Sequence, residues 1–396
     1  MSKGIKKISP NLKLIILIGI VSFFADMTYE SARSIIPQYF TYVLGGSVFA
    51  LGIVMGLGDF LGYSFRSVSG KISDKTGNYW GMMFLGYIIN LFAVPLLALA
   101  NNYIIAAILI IMERLGRATR IPPRDYVIST MGSENRIGYS FALQNLLDQA
   151  GAVIGPLIIS AMLFYNYGFR HAFLFLAIPA TLSILFLYTS YRYSKKEKNF
   201  EARKNIEKGI KKRHLMYYIL GIGLSAAGIY NIPFILVSAQ GFLARYEVTL
   251  IFTLAMAGEG VFGFIFGIAY DKIGKEIIIF GPILAILIIS MVSFHNILFY
   301  MLLGLLFGAF TGINDTVARS IVGSYIEEKQ RGSIFGILNT SYGYGLLVAD
   351  ILVGYFFKQI SIIITYIIIL QISSIILLLK FFKEVNHEQY NNNTKL

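Results

Sequence analysis

The 396-residue sequence contains no cysteine. Disulfides, thiolate metal sites and cysteine nucleophiles are therefore excluded. Histidine is scarce as well, and His171, His214, His295 and His387 stand in no metal-ligand spacing. Neither a His-Glu-x-x-His pair nor a Gly-x-x-x-x-Gly-Lys-Ser/Thr phosphate loop occurs. An ATP-driven pump is excluded unless a partner subunit carries the nucleotide site. No catalytic residue, cofactor or metal is expected, and a membrane-embedded enzyme or sensor is only a remote alternative. Charge is the next shortage. Charged residues make up 14% of the chain, hydrophobic residues 56%, and the mean hydropathy is +0.67. A soluble domain carries roughly 25% charge, so this composition is that of an all-α, multi-pass membrane protein.

What the chain has in plenty is apolar runs of about 20 residues, enough to cross a ~30 Å hydrocarbon core as helices. Twelve are read, at 12–42, 46–68, 79–99, 102–121, 137–162, 168–192, 215–242, 246–269, 276–294, 297–321, 333–357 and 360–382. The first follows Lys3, Lys6, Lys7 and Lys13 and superficially matches a signal peptide. No small-residue cleavage site follows it, so a retained helix is expected.

The net charge of +13 would suggest nucleic acid in a soluble protein. Here its placement gives a different answer. With the N-terminus in the cytoplasm, thirty of the 34 Lys and Arg residues fall on the cytoplasmic side. Arg170, Arg245 and Lys358 fall outside and Arg33 lies within the first run. This is the positive-inside asymmetry of an even number of crossings with both termini cytoplasmic. The expected divisions are an N-terminal six-helix bundle (1–192), a basic linker (193–214), a C-terminal six-helix bundle (215–383) and a disordered tail (384–396). The linker would attract anionic lipid headgroups. A monomer in the cell membrane, contacting lipid and no nucleic acid, is expected.

The halves repeat. Gly70, Asp74, Lys75 and Gly77 form a Gly-x-x-x-Asp-Lys-x-Gly connector that returns at Gly267, Asp271, Lys272 and Gly274. Glu134-Asn135-Arg136 is echoed by Lys329-Gln330-Arg331. Two such bundles, with a solute path between them near the midplane, form the architecture of rocking transporters.

The repeated connector resembles the cytoplasmic signature of the major facilitator superfamily; the second copy keeps a following basic residue, Lys275, while the first has Asn78 and Tyr79 where the family has a basic pair. The stretch Glu113 to Asp125, with Arg117, Arg120, Pro122, Pro123 and Arg124, is similar to one found in a prokaryotic branch of that superfamily. Asp26-Met27-Thr28-Tyr29-Glu30 and Asp148-x-x-Gly151-Ala152-x-x-Gly155-Pro156 match the same branch. The resemblance implies a secondary transporter but names no cargo. The glycine series typical of antiporters is only partly present, as Gly151, Gly155 and Pro156, with Leu143 and Ile158-Ile159 at other positions of the pattern.

Ionisable groups inside hydrocarbon cost about 2.5–3.5 kcal/mol each on insertion scales and by default face a cavity or a partner. Asp26, Glu30 and Arg33 are spaced to share one helix face. They fit either a proton carrier with its counter-ion or a structural ion pair. Asp59, Asp148, Glu259 and Asp350 lie mid-span and join them as candidates for the proton or solute path. Tyr29, Gln144, Tyr230, Asn231, Asn314, Asn339 and Tyr342 are candidates for a polar cavity lining. Glu113, Arg114, Arg117, Arg120, Arg124 and Asp125, together with Asp74, are read either as a cytoplasmic charge latch or as plain topological anchors. The leading expectation is proton-coupled efflux of a small organic solute by alternating access. Proton-coupled uptake of a metabolite is the alternative.

Overall fold

The computed structural model describes residues 10–131, 137–194, 212–325 and 328–393. Most of the basic linker and the Glu134-Asn135-Arg136 echo lie outside the described residues, as do the side chains of Lys329 and Arg331. Lipid offers backbone groups no hydrogen bonds, so each crossing must satisfy its own as a helix. Among the described residues every regular element is helical. In order they are α1 (Pro10–Gln38), continued by a π-helical turn at Tyr39–Val43, α2 (Val48–Thr76), α3 (Tyr79–Leu96), α4 (Tyr103–Met131) and α5 (Ile137–Phe164). Next come α6 (Phe169–Phe175), α7 (Ala177–Ser194), α8 (Lys212–Ala227), α9 (Ile232–Ala239) and α10 (Arg245–Ile273). The last are α11 (Phe280–Met291), α12 (Ile297–Tyr325), α13 (Glu328–Tyr355) and α14 (Ile360–Asn393).

Ten of the segments are long and apolar enough to cross a membrane, counting α6–α7 and α8–α9 as one each. Neither α4 nor α11 is among the ten. The second half of α4 is rich in arginine and carboxylate, and α11 has only 12 residues.

Packing repeats along the chain. α1 lies on α5 and α7, as α8 lies on α13 and α14. α4 packs on α2 and α3, as α12 packs on α10 and α11. Two larger seams cross between these groups, α2 against α13 and α5 against α10, and each is the other's counterpart under the repeat.

Three local structures differ from expectation. The Gly-x-x-x-Asp-Lys-x-Gly stretches are not loops but the last turns of α2 and α10. Their final glycines, Gly77 and Gly274, stand at φ 64° and 98° and stop the helices, a backbone region open to glycine at little cost. Asp74, Lys75, Asp271 and Lys272 are exposed there. Second, the helix does not stop with the apolar run at 121, because α4 continues through Pro122 and Pro123 to Met131. Third, residues 384–393 extend α14 and are not an unstructured tail. Val385 is buried, and the Lys275 ammonium donates to Asn386 Oδ1 at 2.7 Å, so this extension is anchored to the end of α10.

The interruption between α8 and α9 leaves backbone carbonyls free inside the bundle, and α14 satisfies them. Gln371 Nε2 donates to the carbonyls of Ser225 (2.9 Å) and Gly228 (2.7 Å), and the Tyr366 hydroxyl donates to that of Ala227 (2.6 Å). Asn231 then restarts the helix, its side-chain oxygen accepting from the Ile232 amide at 2.8 Å.

Candidate functional site

Between the two groups of helices lies a cavity of about 1180 Å³, its open mouth included. Its wall is drawn from α1, α2 and α4 on one side and from α8–α9, α10, α12 and α13 on the other. One end is closed. Gln38 Nε2 donates to the Arg245 carbonyl at 3.4 Å, Thr41 Oγ1 to Gln240 Oε1 at 3.4 Å, and Ser160 Oγ to the Tyr246 carbonyl at 2.8 Å. Phe49 meets Tyr355 edge-on with centroids 5.5 Å apart. A side chain at Gly52 would overlap the Asp350 carbonyl, so α2 and α13 touch backbone to backbone there. At the opposite, basic end Asp315, on the cavity wall, and Arg319 are about half exposed and pair at 3.1 Å.

A ladder of ion pairs joins α1 to α4 beside the cavity, and this ladder revises the expected latch. Glu30, Arg33, Asp59, Glu113, Arg114 and Arg117 are on the cavity wall, and Asp26, Arg120, Arg124, Asp125 and Asp148 are away from it. The α4 charges do not gather with Asp74, which instead accepts from the Tyr79 hydroxyl at 3.1 Å. Glu113, Arg114, Arg120 and Arg124 are buried among the candidate acids. Arg120 reaches Asp26 at 3.7 Å, Arg117 reaches Glu30 at 3.8 Å, and Arg124 reaches Asp148 at 3.5 Å and Asp125 at 3.0 Å. Arg114 lies 3.4 Å from Asp59 and 3.5 Å from Glu113. Arg33 pairs with Glu30 at 2.8 Å and reaches Glu113 at 3.6 Å. The α4 arginines at spacings of three and four meet the α1 acids at a spacing of four, so successive rungs face one another. Five largely buried carboxylates (Asp26, Glu30, Asp59, Glu113 and Asp148) thus meet five guanidiniums (Arg33, Arg114, Arg117, Arg120 and Arg124), and the more exposed Asp125 joins at the edge through Arg124.

Its centre is tightly held but incompletely hydrogen-bonded. Arg33, Arg117 and Arg120 lie over the Tyr29 ring at 4.9, 4.7 and 5.4 Å, and Arg120 also lies 4.5 Å from the Tyr87 ring. Such contacts hold guanidinium planes in place where water is excluded. Asp26 Oδ1, Asp148 Oδ1 and Arg120 Nη1 are nevertheless buried without a hydrogen-bond partner. The two carboxylate oxygens are where a mobile proton has most to gain, whereas the guanidinium already carries all of its protons.

Of the polar residues expected around the solute, Asn231 and Tyr342 lie on the cavity wall. Tyr29 sits beneath the arginines, and Gln144 donates to Asp148 at 2.7 Å. The hydroxyl of Tyr230 bonds Ser238 at 2.8 Å, and Asn314 donates to the Phe310 carbonyl at 2.8 Å. Asn339 is half-buried and away from the wall. Glu259 faces the cavity and accepts from Thr311 Oγ1 at 3.0 Å. Asp350 is set back from it, fully buried, and accepts from Asn231 Nδ2 at 3.0 and 3.2 Å.

Sequence reasoning missed two contributors. Asn90 on α3 donates to Glu113 Oε1 at 3.0 Å and accepts from Arg120 Nε at 3.3 Å, a clamp that no periodicity announces. Arg66 counted only as a basic residue near a helix end, yet it lies on the cavity wall. Its signal was available, because Asp59, Tyr63 and Arg66 fall at i, i+4 and i+7 on one face of α2.

Comparison with known proteins agrees with this geometry. An uncharacterized MFS-type transporter of Methanocaldococcus jannaschii is 29% identical over 364 residues, covering 87% of this chain and 89% of that protein. The multidrug resistance protein MdtH of Photorhabdus laumondii is 29% identical over 189 residues, 47% of this chain and 46% of its own. The crystal structure of the nucleoside transporter NupG superposes with a TM-score of 0.71 over 94% of this chain and 99% of that one, at 15% identity. That likeness is one of fold. The family model of the Major Facilitator Superfamily matches residues 18–244 and 218–395. A repeated helical bundle around a central cavity, with that match along nearly its whole length, makes this chain a member of the Major Facilitator Superfamily, a membrane transporter and not an enzyme.

Proposed function

We propose that this transporter is a proton-coupled exporter of small organic solutes, working by alternating access of the central cavity to the two membrane faces. The observation that carries the reading is the buried ladder beside the cavity, in which Asp26 and Asp148 are held by long ion pairs at 3.7 and 3.5 Å and each keeps a buried oxygen without a hydrogen bond. A poorly compensated carboxylate in a low-dielectric interior is stabilised by binding a proton. Asp26 is the best placed, with one long pair to Arg120 and an oxygen that lacks a hydrogen bond. Protonation would release Arg120 toward its other neighbours and loosen α1 from α4. Deprotonation would draw them together. Glu30, Arg33 and Asp148 are the neighbouring rungs through which that change reaches the cavity and α5.

The distribution of Lys and Arg supports a cytoplasmic basic end with both termini inside, twelve crossings, and two six-helix halves joined by the basic linker. The cavity is then open to the cytoplasm, the loading state of an exporter. α4 and α11 complete the twelve. The arginines of α4 are neutralised within the bundle, and α11 is lengthened by the helical turn at Lys275–Ile279. A monomer in the plasma membrane is sufficient for this cycle. The likeness of about half of this chain to the multidrug resistance protein MdtH favours export of drug-like solutes. Uptake by symport would use the same residues.

The test is proteoliposomes loaded with a pH-sensitive dye and challenged with cationic, zwitterionic, anionic and neutral solutes. One solute class is expected to drive proton movement. Asp26→Asn and Glu30→Gln are expected to abolish that movement while solute counterflow persists. Solute movement with no proton signal, unchanged in both variants, would reduce the ladder to a structural role.

A further inference from the structure

The charges on the cavity wall do not all cancel. Glu30, Asp59 and Glu113 are matched by Arg33, Arg114 and Arg117. Asp315 is matched by Arg319. Two wall residues remain. Among the described residues, neither Arg66 on α2 nor Glu259 on α10 has an ion-pair partner. The Arg66 guanidinium lies 4.6 Å from the Tyr63 ring, and its Nε is buried without a hydrogen bond. Glu259 has one hydrogen bond, from Thr311, and that bond is contested. The same hydroxyl lies 3.3 Å from the Phe307 carbonyl and 3.0 Å from that of Gly308, and it has one proton to give.

These two groups sit on opposite sides of the repeat, because α2 packs with α4 while α10 packs with α12. The surface they share is apolar and adaptable, with Met55, Met256, Phe252, Phe307, Phe310 and Leu346 on the wall. A guanidinium fork suits a carboxylate or another planar oxyanion. A lone carboxylate suits an ammonium. An unmatched ion on such a wall is unfavourable, so a ligand that satisfies only one of them leaves the other uncompensated and is disfavoured.

We propose that the solute carried in this cavity is amphoteric: an acidic group bound at Arg66, a protonated amine at Glu259, and an apolar body against the methionine and phenylalanine wall. The assignment rests on the transport reading above and gives it a substrate class. It also gives the solute a mechanical role. A zwitterion anchored at both ends ties α2 to α10 across the cavity, so its binding favours the state in which the basic end closes. A solute with a single charge ties nothing.

The experiment is protection of the purified full-length protein against thermal unfolding. The panel presents each scaffold in three forms: the free zwitterion, its carboxylate ester, and its N-acetyl derivative. Stabilising compounds are expected among the zwitterions, with each blocked form at least tenfold weaker. Arg66→Gln should remove the preference for the zwitterion over its ester and leave the preference over the N-acetyl form. Glu259→Gln should do the reverse. General unfolding cannot produce that crossed pattern. Stabilisation confined to cations, anions or neutral compounds overturns the assignment, as does an equal loss for all forms in both variants or the absence of any stabilising compound. Proton flux in proteoliposomes separates the two readings. If cations alone move with protons, transport stands and the amphoteric site falls; if zwitterions protect but nothing moves, the site stands and the transport cycle falls.

Discussion

At the residue scale, the buried ladder works through loose pairing and not through strength. Pairs at 3.5–3.8 Å such as Arg124–Asp148, Arg33–Glu113, Arg120–Asp26 and Arg117–Glu30 are long for charge-assisted hydrogen bonds. Removing one partner of a buried pair typically costs about 3–5 kcal/mol, chiefly because the other charge is left alone. Arg120→Gln should therefore destabilise the protein by roughly that amount, since Asp26 keeps no other ion-pair partner among the described residues. The double change Arg120→Gln with Asp26→Asn should recover most of the loss. Thermal unfolding in detergent across the four proteins of the cycle checks this. A double variant no more stable than Arg120→Gln would mean that Arg120 acts through Asn90, Tyr29 and Tyr87 and not through the carboxylate.

At the scale of elements, the helices and their order were legible because hydrocarbon imposes long apolar runs, and arginine and lysine mark one end of them. The partners of the α4 charges were not legible. A run such as Glu113 to Asp125, with two prolines near its end, looks like the place where a helix leaves the membrane. It stays helical and buried because α1, α2, α3 and α5 bring an acid or an amide to its guanidiniums. Single-chain periodicity does not reveal such pairing. Midplane acids could be counted, but whether each faced a cavity or a partner could not: Asp350 turned inward to Asn231, and Glu259 turned to open space. The α2–α13 seam also exceeds what glycine content alone indicates, since close packing and sliding both use glycine. Here Gly52 and Gly56 meet Asp350 and Leu347 near the closed end. Gly52→Val should force α2 from α13 there and shift the protein toward the state open at that end. The chain has no native cysteine, so one introduced on the cavity wall by Tyr342→Cys reports access cleanly. Modification by a membrane-impermeant thiol reagent applied from the closed side should rise several-fold in the Gly52→Val background. An unchanged rate would mean that this seam does not open in the cycle.

At the scale of the whole molecule, the polar and aromatic contacts described across the closed end are individually weak. These include two hydrogen bonds at 3.4 Å, one at 2.8 Å and aromatic edges such as Phe49–Tyr355 and Phe164–Tyr246. A hydrogen bond contributes about 0.5–1.5 kcal/mol net. A handful of them therefore makes a barrier that solute and proton binding can overcome, which an alternating-access cycle requires. A covalent tie at this end should stop the cycle without touching the ladder or the cavity. Thr41 and Gln240 suit it, because their side chains meet at 3.4 Å across the seam, remote from the acids and arginines of the site. That puts cysteines at the two positions within reach of a short cleavable thiol cross-linker. The pair Thr41→Cys and Gln240→Cys is expected to transport before cross-linking, to lose transport once cross-linked, and to regain it when the linker is cleaved. Solute binding from the basic end should persist in the cross-linked form, because the cavity is already open there. Transport that continues with the cross-link complete would show that this end does not need to open. The cavity would then serve binding on one side only.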